Sequence, residues 1–152
     1  MSKEADHTAA LLAYATSFRA AIQRTIDTGV SPHLPYFPEG ACRLVSRLLA
    51  LDLQSREPWR TRHIEFVSGH FPDKPEFARH VWLRVDDSVV DLTADPFGEN
   101  PVVVGNATPF HASLDTLEAQ SADDALKALS ADELARLKRL LEPIRTCMTQ
   151  GE

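Results

Sequence analysis

The sequence is poor in cysteine and has no excess of positive charge. Only two cysteines, Cys42 and Cys147, occur in 152 residues. Two are too few for a disulfide framework, so we interpret both as free thiols of a cytoplasmic protein. Lysine and arginine total 16 against 22 acidic residues, a net charge of −6, which gives phosphate groups no long-range attraction. We therefore expect no nucleic-acid partner.

Long apolar runs are also missing. The first ten residues are polar and acidic, unlike the basic start and apolar run of a secretory signal, and no window is apolar for the length that a bilayer span requires. We expect no membrane partner and a cytoplasmic location. A chain of 152 residues buries enough apolar surface for one core, so 1–152 is predicted to be a single domain.

Apolar residues at steps of three and four predict helices towards both ends of the chain. The pattern indicates an N-terminal helix over 9–27, a second helix over about 41–53 and C-terminal helices over about 121–148. Ser121 and Ser130 are the predicted N-caps of the C-terminal helices, because an acidic residue follows each of them three positions later.

Between about 62 and 105 the apolar period changes from three or four to two. Short runs over 63–67, 79–85, 89–93 and 102–104 are rich in β-branched and aromatic residues and are separated by Gly, Pro and Asp, which is typical of strands. The order of helices, sheet and helices predicts an α+β fold: a small antiparallel sheet with helices packed against it.

Cys42 falls in the predicted first turn of the second helix. There the helix dipole and the free backbone N–H groups favour thiolate over thiol, and such sites lower a cysteine pKa from about 8.5 to roughly 3.5–7.5, especially beside a histidine. We interpret Gly40 as allowing a close backbone approach. Cys147 ends an apolar helical stripe and is predicted to be a small packing residue.

The strand pattern predicts a hairpin that brings a histidine to an aspartate. If Asp86 and Asp87 form a two-residue turn, Trp82 pairs with Asp91, and Asp91 becomes the diagonal neighbour of His80 on the same face. Diagonal neighbours lie about 7–8 Å apart at the backbone, within reach of a carboxylate–imidazole hydrogen bond.

These residue types together predict nucleophilic catalysis. A cysteine at a helix start, a histidine in a strand and an aspartate on the adjoining strand stand in the order nucleophile, base and orienter. We therefore predict Cys42, His80 and Asp91 as the catalytic residues.

Over about 37–113 the chain also resembles a group of small bacterial papain-like proteins. The resemblance is carried by three segments: Phe37-Pro38-x-Gly40-x-Cys42, His80-x-Trp82-Leu83-x-Val85-Asp86 and Asp91-Leu92-Thr93-Ala94-Asp95-x-Phe97. It implies a papain-like or transglutaminase-like fold and a Cys-His-Asp triad. It also implies thioester chemistry on a peptide, protein or small amide substrate. No cofactor is expected.

Three positions depart from the pattern of those proteins, and two further residues are predicted to shape the site. Arg43 follows the cysteine where Gly is frequent, Asp86-Asp87 replaces an Asp-Gly turn, and Pro96 replaces Gln. The Cys42 backbone N–H and the phenol of Tyr36 are the candidate oxyanion donors, and Trp82 is a candidate wall of the site. For Tyr36 and Trp82 the alternative is packing on the core.

Two rival interpretations stay open at the level of the sequence. His63, His70 and His80 with Asp73 or Asp91 offer ligands suited to zinc, but their spacing matches no familiar motif, so no metal is predicted. The chain is alternatively a catalytically inactive binding or immunity-type module on the same fold. The sequence does not separate peptidase, amidase, deamidase and transglutaminase activities, and it fixes neither the oligomeric state nor the role of His111.

Overall fold

The computed structural model describes residues 3–30, 34, 37–73 and 79–150. These residues form an α+β fold with five α-helices and a five-stranded antiparallel sheet. The helices are α1 (Lys3–Asp27), α2 (Cys42–Leu53), α3 (Pro109–Ala112), α4 (Ala122–Lys127) and α5 (Ala131–Gln150). The strands are β1 (Ile64–His70), β2 (His80–Val85), β3 (Ser88–Asp91), β4 (Val103–Gly105) and β5 (Asp115–Ser121).

The sheet has the order β4-β3-β2-β1-β5, and every pair of neighbouring strands is antiparallel. In the β2–β3 hairpin Leu83 pairs with Val90 and Val85 pairs with Ser88, which is the predicted register. The turn residue Asp86 has a φ of 52°, in the left-handed region that Asp tolerates better than most residues. The hairpin therefore places Asp91 on the same face of the sheet as His80.

Successive strand residues enter two different apolar clusters, one on each face of the sheet. Leu83, Val85 and Val90 belong to the main core, which also contains the buried faces of α1, α2 and α5. Trp82 and Val89 belong to a smaller cluster on the opposite face, completed by residues near α3. This alternation is the period of two expected for a sheet that is covered on both faces.

Several predicted boundaries need correction. Helix α1 begins at Lys3 rather than at residue 9, because its first turns are exposed and carry no apolar stripe that would predict them. The sheet does not end near residue 105: β5 pairs with β1, but its residues with described side chains are almost all exposed, so their burial follows no alternating pattern.

The N-cap predictions are confirmed, since Ser130 Oγ accepts from the Glu133 N–H at 3.1 Å and Ser121 Oγ accepts from the Asp124 N–H at 3.4 Å.

A buried carboxylate joins three helices on the main-core side. Asp52 of α2 is fully buried and accepts hydrogen bonds from the Tyr14 hydroxyl of α1, from Arg56 Nε at 2.7 Å and from Arg145 Nε of α5 at 2.7 Å. These contacts fix α2, whose first residue is Cys42, relative to α1 and α5. None of the described helices combines the length and the apolar character needed to cross a membrane.

Candidate active site

Cys42 is the first residue of α2, so the predicted helix start is confirmed. Within the described residues no side chain caps this end of the helix and no acidic residue lies in its first turn. The free N–H groups and the positive end of the helix dipole therefore act on the thiol without a competing anion.

Our interpretation of Gly40 is wrong. A Cβ built at Gly40 would have no heavy atom of the described chain within 4 Å, so nothing approaches closely there. Its φ is 67°, a left-handed conformation that glycine adopts without steric cost. Gly40 therefore allows the chain to turn into α2, and it does not make room for a neighbour.

His80 and Asp91 form a direct, buried hydrogen bond. His80 Nε2 lies 2.6 Å from Asp91 Oδ2, and both side chains are only 1% exposed. The other carboxylate oxygen, Oδ1, accepts from the Thr93 backbone N–H at 3.0 Å and is 3.4 Å from the Thr93 hydroxyl. Asp91 is thus held at both oxygens, and the hydrogen bond to Nε2 fixes the orientation of the His80 ring.

The Cys42 thiol lies at the other edge of the same imidazole. The His80 side chain and the Val81 backbone N–H act on the thiol as hydrogen-bond partners that lower its pKa, and Sγ lies 3.9 Å from the Arg79 carbonyl oxygen. Because Nε2 of His80 is occupied by Asp91, Nδ1 is the nitrogen left for Cys42. The structure therefore brings the three predicted catalytic residues together, with His80 between Cys42 and Asp91.

Ionisation in this series favours a thiolate–imidazolium pair. Burial raises the pKa of Cys42, but the hydrogen bonds from His80 and Val81 and the positive charge of His80 outweigh it, so the thiol pKa lies below its usual value. Burial lowers the pKa of His80, but the hydrogen bonds and charges of Asp91 and Cys42 raise it to about 9. Between these pKa values the proton belongs to His80 and the sulfur is negative.

Asp91 is the fixed anion of the site. Burial raises its pKa, but hydrogen bonds from His111 and His80, the charge of His80 and the Thr93 N–H lower it to about 2. The carboxylate is therefore ionised across the range in which the thiolate–imidazolium pair exists, and it supplies the charge that keeps His80 protonated.

His111 is a fourth member of the site that the sequence did not assign. Its Nε2 lies 2.7 Å from Asp91 Oδ2, the same oxygen that His80 contacts. Its Nδ1 lies 2.7 Å from Thr108 Oγ1, and Thr108 is the N-cap of α3. An ionised carboxylate only accepts hydrogen bonds, so Nε2 of His111 carries a proton. The Thr108-Pro109 pair predicts a helix start, but no local signal places α3 beside Asp91.

Aromatic rings enclose the His80 imidazole. The Trp82 ring stacks on it at 5.6 Å and meets His111 at 4.9 Å. Trp82 is only 3% exposed, so it packs beneath the site and forms no open wall. Phe97 and Phe110 stack on each other and lie 5.3 and 5.5 Å from His80. Because Cys42 is only half-buried, the site is reached from the thiol side.

The predicted set of metal ligands does not come together. Among the described residues the group able to hold a metal is His80, Asp91 and His111, whose ligand atoms lie within 4.8 Å of one another. His63 lies just before β1 and His70 is the last residue of that strand, so the two are about 20 Å apart at the rise of a strand, and neither belongs to the group. The contacts of 2.6 and 2.7 Å within the group are typical of hydrogen bonds from N–H donors to an ionised carboxylate.

Tyr36, the candidate second oxyanion donor, lies outside the described residues. Cys147 packs partly buried against the main core, as predicted. Comparison of the chain with family models, curated proteins and solved structures finds no match. The arrangement of Cys42, His80, Asp91 and His111 is therefore the feature from which a function is inferred.

Proposed function

We propose that this protein is a cysteine-dependent hydrolase or acyl-transferase with a papain-like or transglutaminase-like fold, acting on an amide or peptide bond. The observation that carries the proposal is the series in which Cys42, at a helix start, meets His80, whose far nitrogen lies 2.6 Å from Asp91. A nucleophile, a base and an orienter within hydrogen-bond reach of one another are the signature of covalent catalysis.

In the first step the Cys42 thiolate attacks the carbonyl carbon of the amide. A C–S bond forms and the carbonyl oxygen becomes an oxyanion, which the free N–H of Cys42 at the helix start is able to stabilise. Protonated His80 then gives its Nδ1 proton to the departing nitrogen as the C–N bond breaks. An amine leaves, and an acyl thioester remains on Cys42 beside a neutral His80.

In the second step His80 acts as the base. It takes a proton from water or from an acceptor amine while the oxygen or nitrogen attacks the thioester carbonyl. The C–S bond breaks, the acid or the new amide leaves, and the thiolate–imidazolium pair of Cys42 and His80 forms again. Asp91 holds the ring through both steps and does not itself take up the proton.

His111 supports this chemistry as a positioning residue. It donates to Asp91 Oδ2 and is held from behind by Thr108 at 2.7 Å, so the carboxylate is fixed from two directions. The aromatic rings around His80 keep water from these hydrogen bonds and so strengthen them.

The test is the pH dependence of Cys42 alkylation by iodoacetamide, followed by mass spectrometry with Cys147 as the internal reference. In the wild type we expect the reaction of Cys42 to begin at a lower pH than that of Cys147, since the pKa of Cys42 is lowered, with a further rise near pH 9 as His80 loses its proton. In His80→Ala the onset should move towards the free-thiol value of about 8.5. An alkylation profile that is unchanged in His80→Ala would contradict the pairing of Cys42 with His80. The matched control is His63→Ala, which removes an exposed histidine.

A second measurement separates an enzyme from an inactive module on the same fold. With p-nitrophenyl acetate we expect a burst of p-nitrophenol and a transient acetyl group on Cys42. Acetylation of Cys42 at the rate of Cys147, insensitive to His80→Ala, would identify the inactive module.

A further inference from the structure

A cavity of about 640 Å³ lies beside the nucleophile, between α2, α4 and the sheet. It is separate from the aromatic enclosure of His80 because it opens on the main-core face of the sheet. Two residues join it to the site: the Arg79 carbonyl lies 3.9 Å from Cys42 Sγ, and the Val81 N–H hydrogen-bonds the thiol. Both of these residues also line the cavity.

The rim of this cavity is cationic. Arg43 and Arg47 lie one turn apart on α2, and Arg79 precedes β2. Glu118 also lines the cavity, and its carboxylate pairs with Arg79 at 3.0 Å. Among the described residues no carboxylate lies within ion-pair distance of Arg43 or Arg47, although Arg47 attracts the exposed Glu133. In a chain with a net charge of −6, this is a local excess of positive charge.

The lining of the cavity is mixed, with apolar side chains beside the charged and polar ones. Phe66 and Val81 from the sheet and Leu126 from α4 line it, with Ser68 and Gln120 as neutral polar groups. A ligand that fits has an apolar body and an anionic end. Planar guanidinium groups bind a carboxylate with two parallel hydrogen bonds, which suits this end of the ligand.

We infer that the cavity binds a carboxylate of the substrate. The substrate is then an amide that has a carboxylate and an apolar group next to the carbonyl that reacts with Cys42. This inference rests on the proposed function of Cys42 and names the class of substrate. The carboxylate is either the α-carboxylate of a chain end or that of an acidic side chain. Both sources present the same group to Arg43, Arg47 and Arg79.

The test uses electrophiles that differ only in charge. N-iodoacetyl-leucine and N-iodoacetyl-leucinamide alkylate Cys42 by attack of Sγ on the methylene carbon with loss of iodide, and they have the same apolar side chain. We expect the acid to react about tenfold faster than the amide, as attraction into a charged cleft raises local concentration. Iodoacetate and iodoacetamide are too short to reach the cavity. The ratio of their alkylation rates therefore gives the acid-to-amide preference that the thiolate–imidazolium pair alone produces.

Matched variants locate the effect. Arg43→Gln with Arg79→Gln should reduce the acid-to-amide ratio to that of the short reagents, and 1 M salt should do the same because it screens charges beyond about 3 Å. Arg60→Gln, an exposed arginine outside the cavity, should leave the ratio unchanged. N-iodoacetyl-glutamate α-amide, compared with its glutamine analogue, presents the carboxylate on a side chain and distinguishes the two sources.

Two results would overturn the inference in different ways. If Cys42 reacts rapidly but the ratio equals that of the short reagents and is insensitive to the arginine substitutions, the cavity binds no carboxylate and the proposed function stands. If Cys42 reacts with every reagent only as fast as Cys147, the proposed function fails and the inference fails with it.

Discussion

At the residue scale Asp91 organises the site. It lies on β3 next to Val90, the partner of Leu83 in the hairpin, and its Oδ2 is shared by two imidazoles at 2.6 and 2.7 Å. Two donors on one oxygen stabilise the ionised carboxylate, and that carboxylate in turn keeps the proton on His80. The protonation of Cys42 therefore depends on a residue that does not contact it through a hydrogen bond in the described structure.

The pKa shifts of this group make its contribution to stability depend on pH. Asp91, lowered from 3.8 to about 2, stabilises the fold above pH 3.8 and loses that effect as pH falls to about 2. His80, raised from 6.5 to about 9, stabilises the fold below pH 6.5 and loses that effect as pH rises to about 9.

We therefore predict that Asp91→Asn destabilises the protein most between about pH 4 and 6.5. The difference in free energy of unfolding between wild type and Asp91→Asn should narrow on either side of this window, and urea titrations at several pH values measure it. Asp123→Asn, at an exposed position of α4, should give a smaller difference without a maximum. A difference for Asp91→Asn that does not vary with pH would contradict the pairing.

His111 has a separate, measurable effect. Removing its N–H from Asp91 in His111→Ala should raise the pKa of Asp91, because that hydrogen bond is the largest of the contacts that lower it. Asp91 titrates far below the pH range in which Cys42 ionises, so the effect is measured in the acid-unfolding profile, the free energy of unfolding against pH, which should begin to fall at higher pH than in the wild type. His111→Gln, whose amide N–H reaches nearly the position of Nε2, should restore the profile. Equal profiles for the Ala variant and the wild type would remove His111 from the site.

At the element scale the site depends on the way the chain enters α2. The helix begins at Cys42 after Ala41, without a side-chain cap among the described residues, and Gly40 in a left-handed conformation precedes it. A better cap would stabilise the helix but would compete with the thiolate for the same N–H groups. The absence of a cap is thus consistent with a functional helix start.

Gly40→Ala should destabilise the protein by about 1 kcal/mol, because a Cβ disfavours the left-handed conformation. The site has open space for the side chain, so the cost is conformational and no clash is involved. Gly40→Asn should cost less, since Asn tolerates this region. Urea unfolding measures both values, and equal losses for Ala and Asn would contradict the conformational explanation.

At the scale of the whole molecule a buried ion cluster fixes the position of α2, the helix that begins at Cys42, relative to α1 and α5. Asp52, at the opposite end of α2 from Cys42, connects that helix to α1 through Tyr14 and to α5 through Arg145. Burying a carboxylate costs free energy unless it is paired with a cation. Removing one partner of the cluster therefore lowers the free energy of unfolding by more than the net contribution of the whole cluster to stability.

Asp52→Ala should lower the free energy of unfolding by about 3 kcal/mol, because it removes the buried acceptor that Tyr14, Arg56 and Arg145 share. Denaturant titration followed by circular dichroism checks this value. Glu142→Ala removes an exposed partner of Arg145 at 3.4 Å and should cost less than about 0.5 kcal/mol. Similar losses for the two variants would indicate that the Asp52 cluster contributes little.

The sequence by itself determined the elements with strong local signals. Helix α2 and its start at Cys42 follow from apolar spacing, and the β2–β3 register follows from alternation around the Asp86-Asp87 turn. Since a one-residue slip would turn Asp91 away from His80, the register also predicted their contact. The capping box of Ser130 is equally local. Each of these features is encoded within a few neighbouring positions.

Only the tertiary structure decided the rest. Strand β5 is exposed and joins the sheet through backbone hydrogen bonds to the free edge of β1, which no side-chain pattern reports. His111 reaches Asp91 because the chain folds α3 back onto β3, 20 residues away. The cavity beside Cys42 exists because α2, α4 and β5 meet there. Such contacts depend on how distant segments pack, so short-range patterns in the sequence do not contain them.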